Sequence, residues 1–329
     1  MKRKLTALAL VLLAALLAGC GGGGDKTYTI RLGHSDTAVN PLHTNLMEFA
    51  KAVSDRTDGR VQIQVFPAGQ LGSNAEMFDM VEAGTLDAMI LPSGQQAGSA
   101  SPKLSTISLP FLFSSYEHVD RVLEGEIGAE LTDGMSEHNM IQLAYWENGM
   151  RQFTNNVRPI ETPEDLMGLR FRTPEDAMTQ EIFAVFGVST GTAPLSELYD
   201  ALRAGEFDGQ ENPIANIYAN NLQNVQKYLT MVYYQYQPKG MVFSLTAWNK
   251  LPEEYRDIVR EAAVEYGERN RTEIRGGEFS QLGELRAAGM VINYPDTAPF
   301  AERTRPVYEA FYERYEWGRD LVERIRALR

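Results

Sequence analysis

The chain has 329 residues, with 31 Lys+Arg against 44 Asp+Glu, a single cysteine, 43% hydrophobic and 23% charged residues. That is globular composition, long enough for about two domains around a substantial core. One cysteine excludes a disulfide framework, a thiolate zinc site and an iron–sulfur site, and a formal charge of −13 speaks against nucleic acid, which needs a basic footprint.

Lys2, Arg3 and Lys4 precede an almost unbroken apolar run from Leu5 to Leu17, then Ala18-Gly19-Cys20. A basic start and a run this short read as an export signal rather than a bilayer span. Leu17-Ala18-Gly19-Cys20 resembles a bacterial lipoprotein box. The resemblance implies that residues 1–19 are removed, that Cys20 carries a lipid anchor, and that the protein is exported and held at the periplasmic or cell-surface side of a membrane. A plain signal peptide cut nearby, or a short uncut anchor, are the alternatives. Gly21–Gly24 follow as a flexible tether, so residues 20–26 stand outside the fold.

Tyr28–Leu32 alternates as a half-buried strand does, and Leu42, Leu46, Phe49, Ala50 and Val53 share one helix face. Val61–Val65 alternates again and stops at Pro67. Ser73 with Glu76 forms a capping box for a helix burying Met77, Met80 and Val81, and Leu86–Leu91 is a further apolar run. This is the α/β pattern of a parallel sheet. Beyond Pro110 it repeats. Ser114 and Glu117 open a helical stretch, Met140–Trp146 is a strand, and Leu169–Arg172 a short one. Thr162-Pro163-Glu164-Asp165 and Thr173-Pro174-Glu175-Asp176 each read as a helix start. From Pro252 a helical pattern runs for about 35 residues, roughly 50 Å, long enough to cross two lobes. A last helical stretch follows Pro306.

His34, His43, His118 and His138 are scattered, and no hydrolase, metal or nucleotide motif appears, so nothing argues for an enzyme, a cofactor or a metal. The informative stretch lies between residues 145 and 236. Arg170 and Arg172 alternate with apolar Leu169 and Phe171, and two guanidiniums on one short strand call for solvent, protein carboxylates or an anion. A helix opening at Pro174 would set free N–H groups beside Arg172. Arg151 reads as a loop residue just past a strand end, with Trp146 offering an aromatic face. Asn212, before Pro213, is either a helix cap or a ligand amide.

Four stretches occur in order: Phe66-Pro67-Ala68-Gly69-Gln70-Leu71-Gly72, Leu109-Pro110-Phe111-Leu112-Phe113, Gly168-Leu169-Arg170-Phe171-Arg172 and Asp208-Gly209-Gln210-Glu211-Asn212-Pro213. Together they resemble the extracytoplasmic solute-binding proteins of tripartite ATP-independent periplasmic (TRAP) transporters, the DctP-like family, from about Thr27 to Ala327. The resemblance implies a two-lobed α/β periplasmic-binding fold with a long helix spanning both lobes. The expected division is 27–148 plus 238–277 for lobe I, and 149–237 plus 278–329 for lobe II. It implies capture of a small organic acid, without catalysis, for delivery to membrane permease subunits. Arg172 matches the family's main carboxylate-binding arginine, Arg151 a second basic ligand and Asn212 an amide ligand.

Leu195 stands where the sialic-acid branch has Phe, and Pro92 and Ser93 where it has an acid, so sialic acid is disfavoured. His34, Gln95, Trp146 and Tyr236 fall in stretches that can reach the far end of a ligand. Trp146 and the amide and hydroxyl candidates tilt the expected ligand toward a sugar acid such as a uronate, ahead of a C4-dicarboxylate. A surface-anchored enzyme acting on acidic carbohydrate, or a chemosensory binder, are the competing readings. Tyr308, Phe311, Tyr312, Tyr315 and Trp317 pack either on their own lobe or on a second copy, with a monomer the expected state.

Overall fold

The computed structural model describes residues 26–96 and 100–329. The export signal, Cys20 and the glycine tether lie outside the described residues. Nine strands follow within them: β1 (Tyr28–Gly33), β2 (Val61–Phe66), β3 (Ala88–Pro92), β4 (Met140–Asn155), β5 (Arg170–Thr173), β6 (Ser189–Thr192), β7 (Gly209–Pro213), β8 (Tyr228–Ser244) and β9 (Val291–Asn293). They form one mixed sheet in the order β2-β1-β3-β8-β4-β7-β5-β6, with β9 alongside β8. β1, β2 and β3 are parallel at one end, and β5, β6 and β7 at the other, as the α/β pattern predicts.

The middle of the sheet is different. β4 and β8, of 16 and 17 residues, pair antiparallel along their length and link the two parallel ends. Register shifts between Gln142 and Ala144, Glu147 and Gly149, and Arg151 and Phe153 bend this ladder. The second shift sits beside Pro238, which faces Glu147 and donates no ladder hydrogen bond. The strand expected to end at Trp146 therefore continues to Asn155, and Arg151 stands inside it rather than in a loop.

Two helix starts differ from expectation by a few residues. Ser115, not Ser114, caps the helix Tyr116–Leu123. Thr173 remains in β5, and Asp176 caps the helix Ala177–Val185 by accepting from the Met178 N–H. The capping box at Ser73 and Glu76 is present.

Each lobe has its own apolar core. In the first, Leu46, Phe49, Val53 and Trp146 pack with Met241, Phe243 and Ala262. In the second, Phe153, Phe171 and Phe183 pack with Tyr234, Phe311 and Ile325. The stretch Leu104–Leu131, expected in the first lobe, buries its apolar residues in this second core. Hydrogen bonds tie it there, from Gln235 Nε2 to the Ser108 carbonyl at 2.7 Å and between His118 Nε2 and the Ile325 carbonyl at 2.7 Å. Phe311 is fully buried, and Tyr308, Tyr312, Tyr315 and Trp317 pack on the same core, so the C-terminal aromatic stretch folds onto its own lobe.

The long helix runs from Glu253 to Ala287. Its first half contributes Val259, Ala262 and Ala263 to the first core, and Leu285 joins a cluster with Ile214, Ile217 and Leu229 in the second lobe. Gly267 lets it approach β4, since a Cβ there would lie 2.9 Å from the Tyr145 carbonyl oxygen.

Candidate carboxylate-binding cleft

The cleft between the lobes is built from strand ends and the loops that follow them. After β1, the chain turns through His34, Ser35 and Asp36. The Phe66–Gly72 loop clips onto this turn, with Ala68 N–H donating to the Asp36 carbonyl at 2.8 Å and Gly69 N–H to the His34 carbonyl at 3.0 Å. Gly69 takes φ +69° in this loop, which suits glycine, and its backbone lines the cleft. From the second lobe, β4 supplies Arg151, β5 Arg172 and β7 Asn212, while β8, which runs through both lobes, supplies Gln237 and, opposite Pro92 of β3, Lys239.

Arg172 is 4% exposed. Its Nε and Nη2 donate to the Ala193 carbonyl at 2.8 and 2.5 Å, and it makes no ion pair with any described residue. Neither Glu175 nor Asp176 pairs with it. Burial pulls its pKa down to about 10, opposed by the charge of Glu211 and assisted by that of Arg151. A buried guanidinium satisfied only by a neutral carbonyl is costly unless an anion arrives. Arg170 instead lies exposed, donating to the Gly205 carbonyl and resting 5.9 Å from the Phe207 ring centre.

Arg151 has the opposite environment. It is clamped by Glu211, through Nε–Oε2 and through Nη2–Oε1 at 2.7 Å, and donates through Nη1 to Gln237 at 3.0 Å. Burial disfavours its charge, but Glu211 outweighs this and holds its pKa above the ordinary value. Tyr234 Oη also donates to Glu211, at 2.6 Å.

Asn212 does not cap the following helix, whose N-cap is Pro213 with no side-chain bond. Its Oδ1 accepts from Asn216 Nδ2 at 3.2 Å and its Nδ2 donates to Gln210 at 2.5 Å. Gln95 lines the first-lobe wall and accepts from Asn74 Nδ2 at 2.7 Å. Pro92 and Leu195 also line the cleft.

Three of the expected site residues stand elsewhere. Trp146 is fully buried, its Nε1 donating to the Ala263 carbonyl at 3.0 Å and its ring edge-on to Phe49, because the strand it occupies is covered by the long helix. Tyr236 packs against Phe113 and Tyr116, and burial, reinforced by the charge of nearby Glu147, raises its pKa. His34 lies behind the lining, 3.1 Å from His43 Nδ1, and burial lowers its pKa to about 4. Conversely, the sequence reading passed over Asn148, Asn216 and Lys239, all of which line the cleft. Lys239 was the most visible of these, a lone lysine before the apolar run Met241-Val242-Phe243.

Among the described residues no group of three or more His, Cys, Asp or Glu side chains could hold a metal, and no helix is long and apolar enough to cross a membrane. Two lobes flanking a cleft whose buried arginine makes no ion pair with the described residues are the arrangement of a solute-binding protein. The chain belongs to the bacterial extracellular solute-binding protein family 7, DctP, whose model matches residues 32–315. It is 29% identical over 324 residues to the 2,3-diketo-L-gulonate-binding periplasmic protein YiaO of Escherichia coli K12, covering 98% of each chain. It is 30% identical over 309 residues to the C4-dicarboxylate-binding protein DctB of Bacillus subtilis 168, covering 93% of this chain and 88% of that one. A solved TRAP periplasmic solute-binding protein from Haemophilus influenzae RdAW, with bound L-gulonate, superposes with a TM-score of 0.88 at 29% identity, covering 92% of this chain and all of that one.

Proposed function

We propose that this protein captures a small organic acid, a sugar acid before a C4-dicarboxylate, and presents it to the membrane subunits of a TRAP transporter. The observation that carries the reading is Arg172, a buried guanidinium facing the cleft with no protein carboxylate to neutralise it. A ligand carboxylate completes its fork with charge-assisted hydrogen bonds. Arg151, already neutralised by Glu211, serves chiefly to hold Gln237 in the cleft wall, and Asn212 and Gln95 offer amides to the remainder of the ligand. The lobes close around the acid and release it unchanged, so the protein acts without catalysis. Export to the periplasm belongs to the same reading, supported by the relatives' periplasmic binding, and anchoring through Cys20 rests on the lipoprotein-like stretch Leu17-Ala18-Gly19-Cys20.

A thermal-shift screen of the chain from Gly21 onward tests it, using uronates, aldonates, C4-dicarboxylates, 2-oxo acids and neutral sugars. A ligand at a hundred times its Kd adds about 2.7 kcal/mol, a rise of a few degrees. Stabilisation by acids that are recovered unchanged is the expected result. Stabilisation by neutral sugars alone, or turnover of a carbohydrate, would sink it.

A further inference from the structure

Three cations line the cleft, and they do not carry equal charge into it. Arg151 is neutralised by Glu211, and Lys239 by Asp36, at Nζ–Oδ2 2.5 Å with both side chains almost fully buried. Asp36 has few other claims on it, with Asn40 Nδ2 at 3.5 Å and His34 Nδ1 at 3.9 Å. The His34 ring is neutral near pH 7, because burial holds its pKa at about 4, so Asp36 answers Lys239 alone. Of the three, Arg172 is the one without a carboxylate partner among the described residues. Apart from these cations and the exposed Glu175, the polar lining of the cleft carries no charge, with Ser35, Gln95, Asn148 and Asn216 among it. Asn148 Nδ2 is buried there without a hydrogen-bond partner.

Resting on the carboxylate reading above, we propose that the Asp36–Lys239 pair is a specificity determinant that makes this cleft a site for one carboxylate and not two. Asp36 cancels the lysine's charge but uses one of its three N–H donors, leaving donors for a ligand hydroxyl. A second ligand carboxylate placed there would lose its water, gain no uncompensated cation, and face Asp36. The ligand class that matches is a monoanionic polyhydroxy acid, with its carboxylate at Arg172 and its hydroxyls toward Lys239, Asn148 and Asn216.

The test uses ligand pairs that differ only in whether C6 is an alcohol or a carboxylate: D-gluconate against D-glucarate, and D-galactonate against D-galactarate. Calorimetry on the protein as it stands should favour the monoacid of the bound pair by at least about tenfold in Kd. Asp36→Asn frees the lysine's charge and should move that ratio at least about tenfold toward the diacid. Combining Asp36→Asn with Lys239→Gln removes both charges, restores the balance, and should bring back the monoacid preference. A merely structural pair would lower all affinities together and leave the ratio where it was. Equal or tighter diacid binding by the unmodified protein, or an unmoved ratio in a folded Asp36→Asn variant, would overturn the inference while leaving Arg172 as the carboxylate site. Binding of none of these acids, nor of any acid in the thermal-shift panel, would overturn the carboxylate reading as well.

Discussion

Where the long helix crosses β4, Arg275 donates to both oxygens of Asp120, at 2.7 and 2.9 Å, and to Glu147 at 2.6 Å, with its guanidinium 4.4 Å from the Tyr116 ring centre. In the cleft, Arg172 is more deeply buried and has only a carbonyl. The same residue type thus sits in two regions with opposite charge balance. Around Arg275 the protein supplies every anion itself, and Asn270 adds a hydrogen bond to the Glu147 N–H at 3.0 Å. Such an array locks the helix to the strand that both lobes share. Around Arg172 the protein withholds the anion, and the stability forgone there is recovered when a ligand brings one. A filled network is architecture, whereas a deliberately incomplete one is a binding site.

Substituting each arginine should separate the two roles. Arg172→Ala is expected to weaken binding of the acid by about 3–5 kcal/mol, because a desolvated carboxylate loses its charged partner. Its ligand-free melting temperature should hold or rise, since a buried cation lacking a carboxylate is gone. Calorimetry and a melt on the same sample check both halves. Retained affinity with a large loss of stability would reverse the comparison.

Arg275→Met should do the converse. Glu147 is fully buried, and without its hydrogen-bonded arginine it keeps only the more distant charges of Arg271 and Lys239, so the fold loses about 3 kcal/mol in denaturant titration. Affinity per folded molecule should stay within a few-fold. A change in affinity as large as the change in stability would mean that the helix cluster also sets the closed geometry of the lobes.

Much of this arrangement is local in the sequence, and that part was legible. The capping box, the amphipathic helix on Leu42 to Val53 and the 35-residue helix each follow from spacing within one segment. Arg172, Arg151 and Asn212 were named through the family resemblance rather than from spacing, because a polar residue beside a strand or a proline reads equally well as a surface group or a cap; the structure lines the cleft with them and with Gln95. The pairing of β4 with β8 was not legible, since it joins residues from 73 (Asn155 and Tyr228) to 104 (Met140 and Ser244) positions apart. That pairing decides which side chains face the cleft. A strand buried on both faces shows no polar side, so Trp146 and Tyr236 read equally well as ligand contacts or as core, and packing by Ala263, Phe49 and Phe113 decides for core. The charge state of the cleft was hidden for a related reason. Lys239 meets Asp36, and Arg151 meets Glu211, only after the sheet is assembled.

The smallest expected effect tests how complete the helix network is. Glu278 lies at its open end, where Tyr116 Oη donates to it at 3.5 Å. Burial, reinforced by the charge of Glu147, raises its carboxyl pKa to about 7, against the opposing pull of Arg275. Because the folded value exceeds the unfolded one, the folded state keeps a proton that the unfolded chain has released between roughly pH 4.3 and 7. Stability from this group is therefore present below that window and lost as pH rises through it. Glu278→Gln keeps the acceptor for Tyr116 and removes the ionisation. Its unfolding free energy should match that of the unmodified protein near pH 4.5 and exceed it above pH 7, by about 1–3 kcal/mol after allowance for partial exposure, with a higher melting temperature there. Melts taken across pH 4.5–8.5 measure the divergence. Curves that run parallel throughout would show that Glu278 stays ionised, and that the network around Arg275 already balances a third carboxylate.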